Sequence, residues 1–145
     1  MRKVSLVALV VGWVVDIGGS NAIALLYILW ATATGRLDPA VVTDQNALMR
    51  DSEVVQTLFV TGLAVSVVAG YVAARIAGRA HVLHGVLSSA AAVFFGILSL
   101  GETLQAQPQW LVAAGFVAGP VAGALGGYIA LRQASELVAT SDPSF

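Results

Sequence analysis

Three stretches of this chain, 54–74, 80–101 and 103–131, contain no Asp, Glu, Lys or Arg, and a fourth, 4–33, contains one, Asp16. A helix rises about 1.5 Å per residue, so roughly 20 apolar residues cross a hydrocarbon core about 30 Å thick. Each stretch is long enough. Of the 145 residues 58% are hydrophobic and 10% charged, whereas a soluble domain carries about a quarter charged residues. That leaves too little polar surface to cover a water-soluble globule. A soluble enzyme, a nucleic-acid binder and a disordered chain are excluded. The expectation is an all-α, polytopic membrane four-helix bundle, one membrane domain over 1–145, with the lipid bilayer as its first partner.

The spans are expected at about 4–33, 54–75, 82–100 and 110–131. The first is long, and Gly18-Gly19 near its middle marks a bend. Its start also carries signal-peptide features, Arg2-Lys3 and the small-x-small run Ser20-Asn21-Ala22. Cleavage there would leave a remnant too short to span, so the segment reads as a retained span. Arg2, Lys3, Arg75, Arg79 and Arg132 fall on one side and only Arg36 and Arg50 on the other. The positive-inside rule then places both termini in the cytoplasm, with the chain multi-pass in a bacterial inner membrane. The acidic segment 35–53 is an external, solvated loop in which Asp38-Pro39 has the form of a helix start. The tail 133–145 is polar and expected to fray.

Gly70-Tyr71-Val72-Ala73-Ala74-Arg75 returns as Gly127-Tyr128-Ile129-Ala130-Leu131-Arg132, an offset of 57. Gly62 and Gly119, and Ser66 and Gly123, fall in the same frame. This reads as two parallel two-helix repeats. Small residues recur every fourth position in every span: Gly115, Gly119, Gly123 and Gly127 in the last, Gly62, Ser66 and Gly70 in the second, Ser88, Ala92 and Gly96 in the third, Gly12, Asp16 and Ser20 in the first. In lipid, helices associate by close packing at such residues. A glycine zipper is expected, holding the bundle together or joining it to a homodimer partner or another membrane protein.

The chain has no cysteine and two histidines. Disulfides, thiolate chemistry and a multi-histidine metal cage are therefore excluded, and neither metal nor cofactor is expected. Asp16 is the formal charge deepest in a span. Placing an aspartate there costs about 2.5–3.5 kcal/mol on insertion scales, so it faces protein or water. By depth its partners are Ser66, Ser88 or Ser89, with Ser20 and Asn21 a turn further along. The group is either a proton or ion relay or a carboxyl that glues helices together. His81 and His84, three residues apart, read as interfacial anchors. With Tyr71, Arg75, Arg79, Tyr128 and Arg132 they form a basic-aromatic collar on the cytoplasmic side, with a headgroup or anion site as its sharper reading. No nucleophile–base set lies at one depth.

The pattern Gly-Tyr-x-Ala-x-Arg-x-Ala at 70–77, then His84-Gly85-x-Leu87 and Gly126-Gly127, resembles a class of four-span bacterial inner-membrane proteins with no assigned activity. It implies the same fold and no chemistry. Asp16 in the first span of a short four-span chain is also loosely similar to the small multidrug resistance transporters, where a glutamate is usual. That resemblance implies proton-coupled transport through Asp16. Together the readings favour a membrane protein that is not an enzyme and acts by helix packing and interaction. The alternative is a small proton-coupled transporter or channel using Asp16.

Overall fold

The computed structural model describes residues 4–98 and 109–141, and no strand occurs among them. The first rod is α1 (Leu6–Trp13), a π turn (Val14–Gly18) and α2 (Gly19–Ala33). Two short helices follow, α3 (Pro39–Thr43) and α4 (Gln45–Leu48), then α5 (Ser52–Ala77). Next come α6 (His81–Ser88) and α7 (Ala90–Leu98), joined at Ser89, and last α8 (Gln109–Ser141). Four rods are long and apolar enough to cross a membrane: Leu6–Ala33, Ser52–Ala77, His81–Leu98 and Gln109–Leu137. The chain is an all-α helical bundle. Many large apolar side chains, among them Leu6, Leu26, Val60 and Val117, are exposed, as a lipid-facing surface requires.

The bundle has two ends. The terminal end holds the start of α1, the tight turn between α5 and α6 and the end of α8; the loop end holds α3 and α4. At the terminal end the turn is made by Gly78, whose φ of 62° closes α5 in the left-handed conformation. Ala80 follows at φ 46°. At the loop end Asp38 accepts from the Ala40 amide with Pro39 at the first helical position, the start expected from sequence. Asp51 caps α5 by accepting from the Glu53 and Val54 amides.

The helices pack most tightly toward the terminal end. A Cβ added at Gly70 or Gly85 would overlap the Gly123 carbonyl, and one at Gly126 would overlap the Val67 carbonyl. One at Gly127 would meet the backbone of His81 and Val82. On the other side Gly12 seats α1 against Ala73 and Ser88, where an added Cβ would lie 3.0 Å from each. Gly96 faces the Phe116 ring.

Toward the loop end the expected stripe goes unused. Nothing lies within 4 Å of a Cβ built on Gly62, Gly115 or Gly119. The reason is geometric: at 3.6 residues per turn a four-residue spacing drifts about 40° per step, so Gly115 is about 120° from Gly127 around the helix. One straight interface cannot use both. The helices instead leave a cavity of about 380 Å³ between α5, α7 and α8, with Gly115 and Gly119 in its wall.

Three further expectations are corrected. The loop is not simply solvated: Leu37 and Leu48 are buried against Ala31 and Val54 and form a small core of their own with Tyr27 and Met49. In the first span the irregularity is the π turn around Asp16, ending at Gly18. Beyond the last span the tail does not fray at Gln133; α8 runs on to Ser141. Pro120 lies inside this helix, which continues past it without a break. The expected limit of span three at 100 and the tail from 142 lie outside the described residues.

Candidate functional site

The π turn carries Asp16 into the bundle, where it is 3% exposed. A π turn widens the helix by one residue and re-aims the side chains on it. Here it points a carboxyl at α5. The Ser66 hydroxyl donates to Oδ1 of Asp16 at 2.7 Å. Oδ2 is buried and has no hydrogen-bond partner among the described residues.

The other serines expected around Asp16 are engaged elsewhere. Ser88, fully buried, donates to the Gly85 carbonyl of its own helix at 2.6 Å. Ser89 reaches across to the Gly119 carbonyl on α8 at 3.1 Å. Asn21 is exposed and donates back to the Ile17 carbonyl. Ser20 is half-buried. Of the expected set, the structure joins only Ser66 to Asp16. Ser66 and Ser89 do share a location, since both line the cavity between α5, α7 and α8. Asp16 stands behind Ser66 and is not part of that wall.

The collar resolves into separate contacts. His84 is fully buried: Nε2 accepts from the Ser5 amide at 3.0 Å, and Nδ1 lies 3.1 Å from the Ala80 carbonyl. These partners define a neutral ring with its proton on Nδ1. His81 instead places Nδ1 3.0 Å from the Ala74 carbonyl, at the end of α5. The Tyr71 hydroxyl donates to Gln133 at 2.7 Å. Arg132 donates to the Tyr128 hydroxyl at 2.8 Å and lies over that ring, 5.5 Å from its centroid. Arg75 and Arg79 are exposed. Position 84 faces α1, where a chain amide needs an acceptor, while His81 reaches back to the end of α5.

Three further residues position the helices: Trp13, whose depth in the span already marks it as a packed side chain, and two glycines that the stripes do not include. Trp13 donates its indole N–H to the Leu87 carbonyl at 3.0 Å, tying α1 to α6 close to the π turn. Gly85 and Gly126 make two of the closest helix contacts. They lie off the four-residue stripes, so the stripe rule passed over them. Among the described residues no three His, Cys, Asp or Glu side chains are grouped to hold a metal ion.

Comparison with protein-family models, with curated proteins and with solved structures finds no match. The candidate site therefore rests on its own geometry: one buried carboxyl bonded between two spans, a glycine-packed half and an open half.

Proposed function

We propose that this chain is a membrane protein without catalytic machinery that serves as a compact interaction or assembly unit of a bacterial inner membrane, with both termini cytoplasmic. The observation that carries the reading is the way the intramembrane polar groups are spent. Asp16 with Ser66, Ser89 with Gly119 and Trp13 with Leu87 each bond one span to another, and Asp16 is left off the cavity wall. Polar groups used this way hold helices in register.

Two further features support this reading. Gly12 meets Ala73 of α5 and Gly85 meets Gly123 of α8, so in each hairpin the first helix packs on the second through a small residue. Gly12, Gly70, Gly123 and Gly127 are spent on contacts within the chain, and large apolar outer faces are left for partners.

The absence of cysteine makes the test direct. Single cysteines at exposed outer positions, Val68→Cys on α5 and Val121→Cys on α8, are cross-linked in native membranes. The expected result is a defined adduct, with a second copy or one other membrane protein, from one face and not the other. Equal, diffuse labelling from both faces would contradict an interaction role.

The transporter reading keeps one specific point in its favour. Ser66 both holds Asp16 and lines the cavity, so a solute in that cavity is one side chain away from the carboxyl.

A further inference from the structure

The cavity between α5, α7 and α8 does not end at its outer rim. A second hollow of about 360 Å³ lies beside Arg50, Ser52, Gln56 and Trp110. Met49, Val55 and Leu111 bound both hollows, so the two form one groove. Its chemistry changes along its length. At the loop end it has a guanidinium, polar side chains and an indole; further in it has Leu58, Phe59 and Phe116; at its inner end it has the hydroxyls of Ser66 and Ser89.

The length is informative. Gln56 and Ser66 lie on one helix, so the groove runs about 15 Å along it at 1.5 Å per residue. One leaflet of hydrocarbon is about 15 Å thick, half of the roughly 30 Å core. The groove is thus one acyl chain deep, with a polar mouth at headgroup level where tryptophan is favoured.

The charge at the mouth selects the headgroup. The loop is acidic overall, but its acids are engaged. Asp38 and Asp51 cap α3 and α5, Asp44 accepts from the Asn46 amide, and Glu53 pairs with Arg36 at 3.5 Å. Arg50 makes no ion pair among the described residues. A guanidinium at an apolar groove fits a phosphodiester, which it bonds through two N–H groups. We propose that the groove is a phospholipid site in the loop-side leaflet, with one acyl chain between α5, α7 and α8 and the phosphate at Arg50.

The test uses the full chain, purified in detergent, and native mass spectrometry with three probes: phosphatidylethanolamine, diacylglycerol with the same chains, and glycerol phosphate with none. Wild type is expected to retain one phospholipid, to hold diacylglycerol more weakly and to ignore glycerol phosphate. Arg50→Gln should weaken the phospholipid roughly tenfold, the loss of one charged hydrogen-bonded contact, and leave diacylglycerol unchanged. Gly115→Leu projects into open space and should displace both lipids. Val93→Phe fills the groove from α7 and should do the same if the glycine variant fails to fold. Unchanged lipid occupancy in Arg50→Gln and in the folded groove-filling variants overturns the proposal. So does a lipid-free dimer that a groove-filling variant converts to monomer, since the occupant would then be a second copy.

Discussion

Ser66 donates to Asp16 across 2.7 Å, joining the π turn of the first span to the middle of α5, 50 residues apart in sequence. The contact turns the costliest side chain in the membrane into a tie between two helices. Its strength is measurable. A double-mutant cycle with Asp16→Ala and Ser66→Ala, followed by unfolding in mixed micelles, should give a coupling energy of about 0.6 kcal/mol and no more than about 1.7 kcal/mol, the mean and the maximum for interhelical hydrogen bonds in lipid. A coupling indistinguishable from zero would mean that the two groups merely lie side by side.

The glycines should divide into two classes. Gly123→Ala drives a methyl into the Gly85 carbonyl and should destabilise the bundle by about 2 kcal/mol or more. Gly115→Ala meets nothing within 4 Å and gains up to about 1 kcal/mol of helix propensity. Thermal unfolding in detergent should therefore rank wild type and Gly115→Ala together, well above Gly123→Ala. Equal melting of all three would remove the glycine-packed core from the account.

His84 acts as the acceptor that anchors the start of α1. His84→Phe keeps a ring in the buried space but leaves the Ser5 amide without its bond. Hydrogen exchange at Ser5 should quicken roughly five- to tenfold, the loss of about 1 kcal/mol of protection, while amides in the middle of α5 keep theirs. Exchange at Ser5 that is fast in wild type and variant alike would contradict the anchor.

Orientation can be read by labelling. Arg79→Cys at the terminal end and Thr43→Cys at the loop end are both exposed. In intact cells a membrane-impermeant maleimide should label the cysteine at position 43 and spare the one at 79. The reverse pattern would invert the topology.

The four spans were legible because charge is excluded from lipid: the gaps between charges are the helices. Asp38 at the start of α3 was legible because Asp-Pro has one strong local use. The partners of Asp16 were legible only to a set, since depth ranks serines without giving the rotation that brings Ser66, rather than Ser88, to the carboxyl. The glycine stripes were half legible for the same reason. A four-residue spacing lies on one face for a turn or two and then drifts away, so Gly70 and Gly123 pack while Gly115 opens onto a cavity. The role of His84 was not legible, because its partner is a backbone amide, and every residue but proline has one.

The most direct measurement of the central claim, that Asp16 ties helices and does not carry protons, is proton flux into dye-loaded liposomes containing either wild type or Asp16→Asn. The asparagine retains an oxygen that accepts from Ser66, so the variant should fold and elute as wild type does, and the two should pass protons at the same rate. A flux present with wild type and abolished in a correctly folded Asp16→Asn would contradict the account and make the carboxyl a transport site.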